Sequence, residues 1–327
     1  MTEDFDFLFA KSKLPSGIIN LGIGENNILR EAVVEAYNLK NLSLENLPHI
    51  FEYAPPYGYE PLIKILEQIY GGKIIVGSGA KHCLSAAFYA MNAVGKNKIH
   101  VVRPFWASIP SLVAREGLEY SESINDCDCQ LIVAPGNPDG SFNLSTIANV
   151  PVIHDAAYYT GSYVPKEIYL KQIGDIQIYS MSKMFGLSGA RIGWVHTYNE
   201  EYYTHMTKFI EATTAGISTI SQSLLLDILN KDCNNPELRI SYEDYVFKYL
   251  NINRKYLLEN LNTNKFTIID KNQYGMFAWL KSDVSNFTES GVNVMPGEPF
   301  GKPGYIRMNL AVSMELIIKA VNKMNKI

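Results

Sequence analysis

No stretch of this 327-residue chain approaches the roughly 18 consecutive apolar residues that a membrane-crossing helix needs. Runs of five or six like charges are also missing, and 29 Lys and Arg against 33 Asp and Glu leave a net charge of -4. That balance gives no basic stripe for nucleic acid and no polybasic patch for a membrane surface. The start, MTEDFDFLFAKSK, lacks the basic region, apolar segment and small-residue cleavage site of a signal peptide, so a cytoplasmic protein is expected. Cysteine is scarce, with four residues in all. Cys83 falls in an apolar helical pattern and reads as a core thiol, Cys127 and Cys129 flank an aspartate in a polar turn, and Cys233 lies near a loop. One Cys-x-Cys falls short of the paired cysteines or Cys/His set of a zinc site, and no metal is expected. Gly22-Ile-Gly24 and Gly77-Ser-Gly79 both lack the third glycine of a dinucleotide-binding loop. A serine hydrolase built on Ser180-x-x-Lys183 lacks its companions: Ser282-Asp283 is followed by Val284, and Lys-Thr-Gly is absent.

What the chain does have is an ordinary globular composition, 47% hydrophobic and 19% charged, with short apolar runs alternating with helical patterns. Strands are predicted at Lys73–Val76, Ile99–Val102, Leu131–Ala134, Val152–Ile153, Gln177–Tyr179 and Ala190–His196, with helices such as Glu60–Tyr70 and Ala80–Val94. Near-continuous apolar strands between helices describe an α/β fold with a mostly parallel sheet covered on both faces. The chain changes character after CNNPE. Tyr242–Leu261 reads as a long amphipathic helix, followed by strands at Phe266–Ile269, Gly275–Leu280 and Tyr305–Leu310 and a closing helix at Ser313–Asn325. The expected division is a large domain over 40–240 and a smaller α+β domain from 1–39 and 241–327.

The most informative segment is Ser180-Met-Ser182-Lys183-Met-Phe-Gly186-Leu-Ser-Gly189-Ala-Arg191-Ile-Gly193-Trp. It puts a lysine just past a strand, with two hydroxyls, several glycines and a guanidinium around it. Hydroxyls and a guanidinium suit a phosphate, and a desolvated lysine beside a cation loses its proton readily and becomes a nucleophile. An isolated Ser-x-x-Lys would read instead as a surface lysine in a glycine-rich loop. Pro135-Gly-Asn137-Pro-Asp-Gly140 follows one strand and His154-Asp155-Ala-Ala-Tyr158 the next, and a buried aspartate there is costly unless paired. Val76-Gly77-Ser78-Gly79-Ala80-Lys81 ends a strand and opens a helix, where backbone N–H groups and the helix dipole favour an anion. Tyr305-Ile-Arg307-Met-Asn-Leu-Ala places an arginine on an apolar strand.

These motifs, in this order, resemble the fold-type I pyridoxal 5'-phosphate (PLP) enzymes, the class I/II aminotransferases. The Gly-Ala-Arg-Ile-Gly-Trp ending looks especially like alliinases and tryptophan aminotransferase-related proteins. The resemblance covers Asn20 to Ala311 and implies a seven-stranded, mostly parallel sheet in an αβα sandwich plus a smaller α+β domain. It makes Lys183 the Schiff-base lysine and general base, pairs Asp155 with the pyridine nitrogen, and sets Asn137 and Tyr158 on the ring hydroxyl oxygen. The Gly79, Ala80 and Lys81 amides, with Ser180, Ser182 and Arg191, would hold the phosphate. Ala80 stands where many members carry a hydrogen-bonding side chain. Trp106, in Arg103-Pro-Phe-Trp106, would stack on the ring; a core aromatic is its alternative. Tyr53 would reach the phosphate of a neighbouring subunit in a homodimer with shared sites, with Tyr57 and Tyr59 as rivals. Arg307 would grip the substrate α-carboxylate from one side and the Gly24 backbone from the other, although Gly24 also reads as a loop glycine.

The implied reaction moves an amino group between an amino acid and a 2-oxo acid. Trp106 and the tyrosines of 53–59 suggest an aromatic or apolar side chain, while Arg103 or Arg115 could read an acidic one. A β-eliminating C–S lyase shares every residue through the carbanion, and a non-catalytic PLP-fold regulator or scaffold is the reading from another class.

Overall fold

The computed structural model describes residues 14–41, 52–142, 149–165, 173–269, 274–282, 287 and 290–327. The stretch MTEDFDFLFAKSK lies outside them. Strand β1 (Ile19–Asn20) pairs in parallel with β11 (Val292–Asn293). The main sheet is made of β2 (Lys73–Gly77), β3 (Lys98–Val101), β4 (Glu119–Ser121), β5 (Cys129–Val133), β6 (Val152–Asp155), β7 (Ile176–Ser180) and β8 (Gly193–Thr197). Its order is β2-β8-β7-β6-β5-β3-β4, parallel from β7 to β4, with β8 running antiparallel to both its neighbours. A second, antiparallel sheet has the order β12-β13-β10-β9, from β9 (Phe266–Ile268), β10 (Phe277–Ser282), β12 (Met295–Pro296) and β13 (Tyr305–Asn309).

Strands β6, β7 and β8 are buried along their whole length, as their continuous apolar runs require of a sheet covered on both faces. Helices α1 (Asn27–Ala36), α2 (Glu60–Tyr70), α3 (Ala80–Ala93) and α4 (Ile109–Arg115) precede β4. After β7 come the one-turn α5 (Met181–Met184), then α6 (Glu200–Thr214), α7 (Thr219–Asn234), α8 (Pro236–Asn260) and α9 (Met314–Met324). Side chains cap several of these where the sequence offers them: Asn26 accepts from Leu29 N, Asn199 from Glu201 and Tyr202 N, and Ser313 from Leu316 N.

Three expectations are corrected. The strand predicted from Ala190 begins at Gly193, because Ser188–Ala190 form a 3-10 turn closed by Arg191 in the left-handed region. The long helix starts at Pro236, not Tyr242, since proline at the first helical position needs no N–H acceptor. Cys129 is not in a polar turn but opens β5 and is fully buried, while the turn's polar role falls to Asp128, which accepts from Asn97 and Lys98 N.

Candidate active site

The site forms where β2, β6 and β7 end and β8 begins. Register sets Gly77 and Ser180 on either side of Gly193, and Asp155 two strands away beside Ile178. Gly193 is there for room. A Cβ on it would meet Ala80 N and the Gly79 carbonyl carbon at 2.7 Å and Tyr179 O at 2.8 Å, all backbone atoms that cannot swing aside. Its bare backbone lets the start of α3 settle directly on the sheet.

That helix start is uncapped by any side chain. His82 N and Cys83 N bond to Gly79 O, so the Ala80 and Lys81 amides are left without an acceptor inside the helix. The Gly79 amide differs from expectation: it donates to Gly77 O at 2.8 Å. Gly79 has φ +81°, and a Cβ on it would lie 2.5 Å from Arg191 Nη2, so the glycine lets the guanidinium close over the helix end. Arg191 donates to Ser188 O at 2.9 Å, Ser78 O at 3.3 Å and, more weakly, Ser182 Oγ at 3.5 Å. Ser180 closes the row at the end of β7, and both serines are buried. Two free amides, two hydroxyls and a guanidinium converge as an anion cup.

Lys183 follows one helical residue later, and its ammonium donates to Gly24 O. Burial first, and then the Arg307 and Arg191 cations, draw its pKa down to about 8, while Glu25 and Asp155 partly oppose them. Its Nζ lies 5.7 Å from the centre of the Tyr158 ring. Asp155 is buried and accepts from Ala157 N at 3.1 Å. Burial pushes its carboxyl up to about 6, against the Ala157 N–H and Lys183. Tyr158 is buried edge-to-face with Tyr163 and Phe277, and burial holds its hydroxyl firmly protonated.

Opposite the cup stands Arg307, only 3% exposed on β13. Its Nη1 donates to Asn137 Oδ1 at 2.7 Å and its Nη2 to Gly22 O at 2.8 Å. Its Cζ sits 4.1 Å from the Phe277 ring centre and 5.1 Å from that of Phe300. Burial lowers its pKa only to about 10, so it stays charged at neutral pH, and its Nε has no hydrogen-bond partner among the described residues. Gly24 lies at a close approach nearby: a Cβ there would meet Phe277 Cζ at 3.3 Å and Lys183 Nζ at 3.6 Å.

Lys183, Asp155, Tyr158, Asn137, Arg307 and Gly24 are thus brought together, as are Gly79, Ala80, Lys81, Ser180, Ser182 and Arg191. Trp106 is partly buried at the rim, with Lys81 Nζ 5.8 Å from its ring centre. Tyr53 is not brought in by its own chain: it is 93% exposed. Of its rivals, both pack on the core; the Tyr57 hydroxyl bonds Glu60, and the Tyr59 backbone N–H donates to Gln222. Arg103 pairs with Glu122 and Arg115 with Glu116 and Ser85. Sequence reasoning missed Phe277, Phe300, Tyr163 and Asn309. Only Asn309 carried a signal, since it stands two residues from Arg307 on one strand and therefore on the same face.

A family model described as Allinase matches residues 68–297. Tryptophan aminotransferase-related protein 2 of rice (Oryza sativa subsp. japonica) is 31% identical over 177 residues, 49% of this chain and 34% of that protein. The chain therefore spans about a third of that relative's length. Aspartate aminotransferase of Thermotoga maritima is 22% identical over 291 residues, 77% of this chain and 74% of that one. Among solved structures, Thermus thermophilus aspartate aminotransferase with maleate superposes with a TM-score of 0.75 at 18% identity, over 97% of this chain and 93% of that one. The architecture is that of fold type I, and the family match runs across the cup, the lysine and the strands between them. This chain belongs to the Allinase family, within the aminotransferase-like proteins of the PLP fold type I.

Proposed function

We propose that this chain binds PLP at Lys183 and transfers an amino group between an amino acid and a 2-oxo acid. One observation carries the reading: a lysine with its pKa drawn to about 8 stands between an anion cup and a buried arginine. The residues present fit the cofactor. Ala80 N, Lys81 N, Ser180, Ser182 and Arg191 suit a phosphate. Asp155, buried with a backbone N–H as its hydrogen-bond donor, suits a protonated ring nitrogen. Tyr158 and Asn137 offer a hydroxyl and a carboxamide for the ring oxygen, and Trp106 offers a face at the rim. Bound there, PLP supplies an aldehyde for an amine and a ring that accepts the electron pair released at Cα.

The chain's own residues do the rest. Arg307 binds the substrate carboxylate with the donors left by Asn137 and Gly22, a planar fork held between aromatic faces that a lysine could not imitate. Lys183, neutral above about pH 8, is the base that would take the proton from the substrate Cα. Asp155 keeps the ring nitrogen charged. Phe277 and Phe300 exclude water beside the clamp. With Arg103 and Arg115 already held by Glu122 and Glu116, the pocket favours an aromatic or apolar side chain over an acidic one. The exposure of Tyr53 supports a homodimer in which that phenol completes the partner's cup.

The family favours a second reading, β-elimination, which shares these residues and differs in expelling a Cβ substituent. An amino-acid panel on PLP-loaded protein, followed by absorbance and by 2-oxo acid assay, separates the two. Transamination requires an acceptor 2-oxo acid for turnover; continuous 2-oxo acid release without one establishes elimination. A protein that acquires no visible absorbance with PLP overturns both.

A further inference from the structure

Five consecutive carbonyls, from Leu21 to Glu25, are all taken by three residues. Leu21 O accepts from Asn309 N at 2.7 Å, Gly22 O from Arg307 Nη2 at 2.8 Å, Ile23 O from Asn309 Nδ2 at 2.8 Å, and Glu25 O from the same Nδ2 at 2.7 Å. Gly24 O accepts from Lys183 Nζ. The carbonyls alternate along a segment that bends at Gly22 and Ile23: odd ones face Asn309, and even ones face the site. Asn309 is 3% exposed and fully used, because its Oδ1 also accepts from Ala311 N at 2.8 Å. The strap's far end is tied separately. Asn26 Nδ2 donates to Tyr163 Oη at 3.1 Å, and that hydroxyl donates to the carbonyl of Lys183 at 2.9 Å.

Gly22 and Gly24 have no side chains with which to hold their own carbonyls in place. Their aim must come from neighbours, and the neighbours are Asn309 on one side and Asn26–Tyr163 on the other. We infer that Asn309 and Tyr163 are positioning residues: they stretch residues 21–26 into a strap whose Gly22 and Gly24 carbonyls set Arg307 and Lys183 relative to each other. Neither needs to touch the substrate. The inference rests on the proposed role of Lys183 and Arg307, but its geometry does not depend on the cofactor.

The test uses the full chain carrying Asn309→Ser, which keeps a single donor, and Tyr163→Phe, which keeps the ring. Hydrogen exchange is read at Leu21, Gly22 and Asn27, whose amides donate to Asn293 O, Asn20 Oδ1 and Ala311 O. Without cofactor, exchange at these amides should quicken about tenfold or more in each variant, while the β5–β7 amides hold their rates. With PLP bound, a second readout is the pH midpoint of the visible absorbance, which a purely structural role would leave in place. Water entering under a loosened strap relieves the burial around Lys183, so the midpoint should rise by about one pH unit. Unchanged exchange at the three amides, or unaltered midpoints in both folded variants, overturns the inference. If Asn309→Ser does not fold, Tyr163→Phe alone decides by the same two readings. A wild-type protein that takes up no PLP defeats the proposed function, while the cofactor-free exchange still judges the strap.

Discussion

The two halves of the site are built by opposite means. The anion cup comes from one sheet: β2, β7 and β8 place Gly77, Ser180 and Gly193 in adjacent register, and most of its donors are backbone amides or short side chains. The clamp we propose for a carboxylate joins two segments remote in sequence, with residues 21–26 strapped to β13 across some 285 positions and held by the Arg307 and Asn309 side chains. A cup made of backbone tolerates side-chain change but not added bulk. A clamp made of side chains tolerates bulk around it but not the loss of a donor.

Substitutions that strike one half and spare the other sharpen this contrast. Lys183→Ala, between the halves, has the largest effect: borohydride should fix no PLP to the protein by mass spectrometry, though both halves remain folded. A fixed adduct at another lysine would remove Lys183 from its role. Arg307→Lys keeps the charge but loses the planar fork, and kcat/KM should drop about a hundredfold, while PLP affinity, set by the cup, hardly moves. Equal losses in both would mean that cup and clamp are not separable. Gly193→Ala strikes the cup alone. Forcing a methyl onto backbone at 2.7 Å should cost about 2 kcal/mol, or roughly thirtyfold in PLP affinity measured by absorbance titration. Unimpaired PLP affinity would show that the start of α3 can shift freely. The smallest effect is on pH. The lysine is mostly neutral only above its folded pKa of about 8, so the rate of PLP capture should fall about fivefold from pH 8 to pH 7 and level off above about pH 9. A midpoint near that of an ordinary lysine would mean that water reaches Lys183 and the site is not dry.

Much of the cup was readable without coordinates. A strand ending in Gly-Ser-Gly before a helix, and Ser-x-Ser-Lys after another strand, mark candidate anion-binding turns within a few residues, although the lysine segment alone reads also as a surface loop. The register error at Ala190 arose because an apolar run, Ala-Arg-Ile-Gly-Trp-Val, looks like strand throughout; only the positive φ of Arg191 breaks it, and nothing in the run requires that. The clamp was half legible. Arg307 stood out as a charge on an apolar strand, but its partners did not: Asn137 was named for another role, and Gly22 and Phe277 are remote in sequence with nothing local to link them to it. Tyr163 was invisible for the same reason: its hydroxyl matters through the carbonyl of Lys183, and a backbone acceptor leaves no mark on composition.

By itself, then, the sequence determined the α/β class and most of the strands, because apolar periodicity and turn glycines act over short distances, and its motifs nominated the site residues by resemblance to a family. The tertiary structure alone decided how those side chains are poised. It brought a half-buried Lys183 close to the buried Arg307, drew the lysine's pKa down, and strapped residues 21–26 over both. Desolvation and hydrogen bonding between distant segments exist only once the chain has closed on itself.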